Sequence, residues 1–222
     1  MLFMKNKSLI ALVAGVAVLA VFAAGAYLYD ANETKKLREL AQGTDTVLVR
    51  PNSPSQGSKE AKVVLVEFFD PACETCREFY PHVKGIVRES RGKVRLIMRY
   101  AAFHQGSDEA VKILEATRKQ GLSWPSLEAA LKDQTVWASH SQPRPQLIWE
   151  LLFGSGLNMV QAKQDAASPE IARLLAQDMA DVQALNVRKT PSFFVNGKPL
   201  KNFGLDELKT LVADEIKVQY GS

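Results

Sequence analysis

Two cysteines separated by two residues are the strongest indication of chemistry in this chain. Cys73 and Cys76 are the only cysteines among its 222 residues, and they come shortly after an apolar run at 63–69. A Cys-x-x-Cys between a strand and a helix is typical of a redox-active dithiol. The spacing brings both sulfurs to the first helical turn, within reach of a Cys73–Cys76 disulfide.

The two sulfurs are expected to differ in acidity. Cys73 lies where unpaired helix N–H groups and the positive end of the helix dipole favour an anion, so its thiolate forms more easily than that of a free cysteine. Cys76, one turn inside the helix, is expected to be more buried and less acidic. One thiol therefore attacks and the other resolves the mixed disulfide.

Two other uses of the cysteine pair stay open at this point. A structural disulfide across so short a loop restricts the unfolded chain little and stabilises it poorly. A zinc site needs about four ligands. His82 lies on the same predicted helix, but no second Cys or His pair is spaced to complete a site. Copper bound by the two thiolates is a third possibility, although the methionines at 98, 159 and 179 form no cluster.

Local patterns predict the elements that position the dithiol. One apolar strand is expected before the cysteines and another after them. A first short strand is expected before a turn-rich stretch at 50–59. Apolar residues spaced three and four apart predict helices between 107 and 153, and Ser168-Pro169 begins another. The predicted ranges are strands 46–49, 62–69 and 93–100 and helices 73–91 and 169–185.

The last part of the chain returns to strands. A strand is predicted at 192–195, followed by the two-residue hairpin turn Asn196-Gly197 and a closing helix at 205–220. Thr190-Pro191 precedes the strand, where a cis bond can be held. Together with the Cys-x-x-Cys motif, this position favours a cis proline. The order of elements predicts an α/β protein with a mixed central sheet and a helical insert.

The N-terminus reads as a membrane segment. Lys5 and Lys7 precede an uncharged run from Ser8 to Tyr29, and about 20 apolar residues suffice to span a bilayer. Its length favours a retained anchor with the lysines inside, although small residues at 24–26 leave cleavage as a signal peptide open. Either way the remaining chain faces outward, most simply into a bacterial periplasm, where disulfides persist.

Composition limits the remaining classes. A net charge of +4 is mild for this length, and no basic face interleaved with aromatic residues is present, so no nucleic-acid partner is expected. The predicted units are an anchor at 1–29, a stalk with a first short strand at 30–60, and a domain at 61–222 with a helical insertion at about 104–186. No cofactor beyond the cysteine pair is expected, and no metal.

Two segments resemble the DsbA-like thioredoxin-fold thiol–disulfide oxidoreductases. They are Val66-Glu67-Phe68-Phe69-Asp70-Pro71-Ala72-Cys73-Glu74-Thr75-Cys76 and Thr190-Pro191-Ser192-Phe193-Phe194-Val195-Asn196-Gly197. The resemblance runs from about residue 46 to the C-terminus. It implies a thioredoxin-like fold with an inserted helical domain.

The resemblance also implies the roles of five residues. Cys73 would attack, Cys76 would resolve, and Pro191 would be the cis proline facing them. Glu67 matches the buried acid under the active site, which accepts a proton from the resolving cysteine. The backbone of Thr190 would pair with substrate.

This chain departs from the strongly oxidising members between the cysteines. They carry Pro-His, whereas this chain carries Glu74-Thr75, and a negative charge beside the thiolate should raise the pKa of Cys73. Arg188 and Lys189, like Arg77, would oppose this effect if they approach the sulfur. A less stabilised thiolate predicts a reduction potential between about −120 mV and about −270 mV.

The leading hypothesis is therefore a membrane-anchored periplasmic enzyme that exchanges disulfides with protein substrates and with a membrane redox partner. Whether it acts as oxidase, reductase or isomerase stays open. The alternative from another class is a dithiol metal-binding or metal-resistance module.

Overall fold

Residues 3–41 and 47–221 are described by the structure, which is a computed structural model. The strands are β1 (Ser55–Gly57), β2 (Val63–Phe69), β3 (Val94–Tyr100), β4 (Ser192–Val195) and β5 (Lys198–Pro199). The longer helices are α1 (Phe3–Ala41), α2 (Glu74–Glu89), α3 (Ser107–Arg118), α4 (Ser123–Lys132), α7 (Met159–Ala166), α8 (Pro169–Ala184) and α9 (Leu205–Tyr220). Between α4 and α7 lie α5 (Gln134–Trp137), a 3-10 turn (Pro145–Leu147) and α6 (Ile148–Leu151).

The five strands form one mixed sheet in the order β1-β3-β2-β4-β5. β2 and β3 are parallel and in register from Val63 opposite Val94 to Phe69 opposite Tyr100. β1 runs antiparallel to β3, β4 antiparallel to β2, and β5 antiparallel to β4. The predicted mixed sheet with a helical insert is confirmed, with helices α3 to α8 lying in sequence between β3 and β4.

Both faces of the sheet are covered, which explains the nearly continuous apolar character of β2. α2 and α9 pack on one face through a cluster that includes Val83 and Val212. Val182 of α8 packs on the other face with Phe68 and Phe194. The inserted helices form a further cluster around the buried Trp137, and this cluster includes both cysteines. The dithiol thus lies where the helical insert meets the end of the sheet.

The first strand is not where the sequence predicts it. Residues 47–50 form bends and irregular backbone, and residue 46 lies outside the described residues. Leu48 is fully buried, but its carbonyl and that of Val47 accept hydrogen bonds from the Arg99 guanidinium. The apolar run therefore reflects burial in the core rather than strand pairing. β1 forms instead within the stretch predicted as turns, against β3.

The hairpin prediction is confirmed by the backbone. Asn196 and Gly197 both adopt positive φ, at 47° and 78°, which is the conformation that a two-residue turn of this type requires.

One helix among the described residues is long and apolar enough to cross a membrane by length and composition. Its apolar window, Leu12–Tyr29, has a mean hydropathy of 2.1 and is not buried in the protein.

Candidate active site

Cys73 caps the N-terminus of α2. Its backbone is extended, and its sulfur accepts a hydrogen bond from the Cys76 N–H at 3.4 Å. The Cys73 thiol also lies 3.4 Å from the Thr190 carbonyl oxygen. A side-chain acceptor at this position satisfies an otherwise unpaired helix N–H and favours a negative charge.

The pKa of Cys73 is lowered from 9.0 to about 6. The hydrogen bond with the Cys76 side chain lowers it most, and burial opposes this effect. A hydrogen bond with the Thr190 side chain, the Cys76 N–H and the charge of His104 lower it further. At neutral pH the Cys73 sulfur is therefore mostly a thiolate.

Cys76 has the opposite character. It is fully buried, and its sulfur accepts a hydrogen bond from the Asp70 N–H at 3.5 Å. Burial, and then the hydrogen bond with Cys73, raise the pKa of Cys76 far above its ordinary value. The predicted difference in acidity between the two sulfurs is present, and both are free thiols in the structure.

Glu67 is buried beneath the dithiol. It lies in the middle of β2, between Met98 of β3 and Phe193 of β4, and has no solvent exposure. Neither carboxyl oxygen has a hydrogen-bond partner among the described residues. Burial, and then the charge of Cys73, raise the pKa of Glu67 from 4.5 to about 8. A carboxyl group without partners and with a pKa near neutrality is suited to exchange protons with a neighbouring thiol.

The Thr190-Pro191 bond is cis, as the sequence predicts. It lies directly before β4, the neighbour of β2 in the sheet. The contact between Thr190 and the Cys73 sulfur brings the cis-proline loop against the dithiol, although the two segments are 117 residues apart in sequence.

The residues predicted to tune the thiol lie around the site with partners of their own. Glu74 Oε1 is 2.8 Å from Nε2 of His140, and Thr75 follows it in the first turn of α2. Arg188 Nε donates to Asn186 Oδ1 at 2.6 Å, and Lys189 Nζ lies 5.4 Å from the centre of the Phe203 ring. Their effects on Cys73 stay predictions.

The sequence reading missed Asp70 and His104. Asp70 is fully buried and accepts hydrogen bonds from the backbone N–H groups of Ala72, Phe103 and His104 at 2.8–2.9 Å and from the Ser107 hydroxyl. Its Oδ2 also lies 2.8 Å from His104 Nδ1. Sequence spacing does not link the two residues, because they meet only where the parallel strands β2 and β3 end at the same edge of the sheet.

Fold and site together define a class: a thioredoxin-like domain with an inserted helical block and a Cys-x-x-Cys opposite a cis proline. The thioredoxin family model matches residues 50–214, and the chain belongs to that family. Within it, the chain is a DsbA-like thiol–disulfide oxidoreductase.

Individual relatives agree with this class. The chain is 26% identical over 187 residues to disulfide bond formation protein D of Bacillus subtilis, covering 79% of this chain and 84% of that protein. A thioredoxin-like oxidoreductase from Silicibacter pomeroyi superposes with a TM-score of 0.64 at 28% identity, covering 78% of this chain and 95% of that chain. α-DsbA2 from Wolbachia pipientis shares the fold at 17% identity, with a TM-score of 0.67 and coverage of 82% and 96%.

Another relative is much longer. The chain is 28% identical over 162 residues to the Na(+)/H(+) antiporter NhaA of Herminiimonas arsenicoxydans, which covers 71% of this chain but only 24% of the antiporter's length.

Proposed function

We propose that this protein is a membrane-anchored periplasmic enzyme that exchanges disulfides with protein substrates, with Cys73 attacking and Cys76 resolving. One observation carries the proposal. The more acidic sulfur caps a helix beside the cis-proline loop, and a buried, much less acidic thiol lies one turn behind it. This order of acidities makes one sulfur the nucleophile at neutral pH and leaves the other protonated until it is needed.

The exchange proceeds in two displacement steps. The Cys73 thiolate attacks a substrate disulfide, a Cys73–substrate S–S bond forms, and the first substrate sulfur leaves as a thiolate. Cys76 then gives up its proton and attacks the Cys73 sulfur, which forms the Cys73–Cys76 disulfide and releases the second substrate sulfur. Two electrons have passed from the dithiol to the substrate, and the reverse sequence oxidises a substrate dithiol.

Glu67 accepts the Cys76 proton in this scheme. The Cys73 thiolate helps to raise the pKa of Glu67 and keeps it protonated in the resting dithiol. Burial still raises the pKa of Glu67 when Cys73 becomes neutral in the mixed disulfide, but the contribution of the thiolate disappears and the pKa falls. The base therefore becomes available at the step at which Cys76 must lose its proton.

Retention of the N-terminal helix would hold the domain at the outer surface of the inner membrane. The exposed apolar window Leu12–Tyr29 supports this placement, as do Lys5 and Lys7 before it. A site held at the membrane is close to a membrane redox partner, which would reduce or reoxidise the cysteine pair after each exchange.

Two measurements test the proposal. The first is insulin reduction with dithiothreitol by the full chain, compared with Cys73→Ser and Cys76→Ser variants. We expect catalysis by the wild type, none by Cys73→Ser, and trapped mixed disulfides with Cys76→Ser. Wild-type protein that lacks activity but retains a soft metal ion after reducing purification would instead support the metal-binding module.

The second measurement is the redox state of the two cysteines in cells, read by trapping thiols with an alkylating reagent. A mostly oxidised pair would indicate a disulfide donor. A mostly reduced pair in an oxidising compartment would indicate a reductase or isomerase that receives electrons from a membrane partner.

A further inference from the structure

An imidazole from outside the Cys-x-x-Cys segment, that of His104, is joined through Asp70 to the loop that leads to Cys73. The residues between the cysteines, Glu74 and Thr75, supply no cation. We propose that His104, held by Asp70, supplies the positive charge that stabilises the Cys73 thiolate. Asp70 acts as the positioning residue, because it reaches the sulfur only through His104 and the backbone. The inference deepens the proposed function and rests on it.

The sheet brings the two loops together. β2 and β3 are parallel and end in register, with Phe69 opposite Tyr100. Asp70 therefore begins the loop that leads to Cys73, while His104 lies in the neighbouring loop that leads to α3. No sequence spacing relates the histidine to the cysteines, but the topology places both loops at the same edge.

Asp70 connects these two loops with both carboxyl oxygens. Oδ2 accepts the N–H groups of Phe103 and His104 at 2.8 and 2.9 Å and lies 2.8 Å from His104 Nδ1. Oδ1 accepts the N–H of Ala72, the residue before Cys73, at 2.9 Å and the Ser107 hydroxyl. The position of the histidine is thus fixed relative to the nucleophile by a single buried side chain.

The same contact favours the charged form of the ring. A carboxylate only accepts hydrogen bonds, so Nδ1 carries a proton, and uptake of a second proton at Nε2 gives the cation. Burial lowers the pKa of His104, but the hydrogen bond and charge of Asp70, followed by the charges of Cys73 and Glu74, raise it overall. The charge of His104 in turn lowers the pKa of Cys73.

The other charged groups near this edge have different partners. His140, whose ring centre is 6.5 Å from that of His104, pairs with Glu74. In this pair the Glu74 carboxylate is held by His140 and not by a group at the Cys73 sulfur. Arg188 binds Asn186, and the His82 side chain is exposed on α2. These contacts leave His104 as the histidine linked through Asp70 to the loop that carries the thiolate.

The test is a titration of Cys73 in the full chain. Its two readouts are the alkylation rate as a function of pH and the ultraviolet absorbance of the thiolate. For His104→Gln we expect the midpoint to rise by about one pH unit, which is the effect of removing one opposite charge near a partly buried group. His104→Lys should restore most of the shift because it restores a cation. The matched control is His82→Gln, which removes an exposed histidine on α2 and should titrate close to the wild type.

The reduction potential provides a second readout that a purely structural contact would not change. Ionisation of Cys73 favours the reduced form at pH 7. If the midpoint moves from about 6 to about 7, the factor by which ionisation favours that form falls about fivefold, which lowers the reduction potential by about 20 mV. Asp70→Asn should move both readouts in the same direction if the variant folds, as judged by circular dichroism.

Several outcomes would overturn the inference. They are an unchanged midpoint in folded His104→Gln, a His104→Lys variant that behaves like His104→Gln, and an equal shift in His82→Gln. The titration needs no substrate, so it is independent of whether the protein reduces insulin. Failure of the proposed function and failure of this assignment are therefore separable.

Discussion

Replacing Glu67 with glutamine should stabilise the protein at neutral pH while impairing its chemistry. The carboxyl group is fully buried on β2, and within the part of the chain that the structure describes neither of its oxygens has a hydrogen-bond partner. Burial, and then the charge of Cys73, raise its pKa from 4.5 to about 8. Glutamine has nearly the same shape and stays neutral at every pH. The substitution therefore removes the ionisation and leaves the packing of β2 largely intact.

The sign of the effect follows from the raised pKa. Below about pH 4.5 the carboxyl is neutral in the folded and unfolded states, and its contribution to stability is fully present. As the pH rises toward 8, the unfolded chain ionises while the folded chain holds its proton, and this contribution is lost. One pKa unit corresponds to about 1.36 kcal/mol. Between about pH 5 and about pH 8, the free energy of unfolding of the wild type should therefore fall by about 3–4 kcal/mol more than that of Glu67→Gln.

The assay is urea denaturation of the full chain in detergent micelles at several pH values, with both cysteines reduced. Glu115→Gln is a useful contrast, since Glu115 is also buried but pairs with Arg118 at 2.6 Å and accepts from the Tyr100 hydroxyl. That variant should be destabilised at neutral pH because it leaves the guanidinium without its carboxylate. Parallel stability curves for wild type and Glu67→Gln across this pH range would refute the reasoning about burial.

Two further predictions concern the frame and the entrance of the site. Arg99→Met should destabilise the fold by about 3–5 kcal/mol, because Asp178 and Asp181 lose a buried guanidinium partner; a loss below about 1 kcal/mol in thermal or urea denaturation would contradict this expectation. Glu74→Gln should lower the pKa of Cys73 and make the potential more oxidising, because it removes a negative charge beside the thiolate, with the exposed Glu78→Gln as the control. The wild-type potential in glutathione buffers is expected between about −270 and about −120 mV, and a value at or above the upper limit would contradict the reasoning about Glu74.

The elements that local pattern determines were predictable from the sequence. β2 and β4 carry nearly continuous apolar runs because helices cover both faces of the sheet. Asn196-Gly197 indicates its turn because few residues tolerate positive φ at two successive positions. The strand predicted at 46–49 is wrong. The apolar residues there suggest a strand, but Leu48 is buried beside Arg99 without strand pairing. Pairing is a tertiary property, and periodicity does not reveal it.

The site divides in the same way. The dithiol and the cis proline could be predicted because each is marked by residues adjacent in sequence. Glu67 came from family resemblance, since a single acid in an apolar strand does not indicate which face it occupies. Asp70 and His104 were missed because 34 residues separate them, and only the parallel register of β2 and β3 brings their loops together.

Burial of Cys76 and the hydrogen bond between the two side chains cause most of the difference in acidity between Cys76 and Cys73, and the charge of the partly exposed His104 lowers the pKa of Cys73 further. The buried Glu67 and the partly exposed His104 both respond to the charge of Cys73. When Cys73 enters a disulfide it loses its negative charge, and the pKa values of both Glu67 and His104 should fall because that charge helps to raise each of them. Disulfide formation is thereby coupled to proton release from both groups. Across the range where Glu67 and His104 titrate, the potential of this site should consequently fall with pH more steeply than that of a dithiol with the same cysteine pKa values and no titrating neighbours.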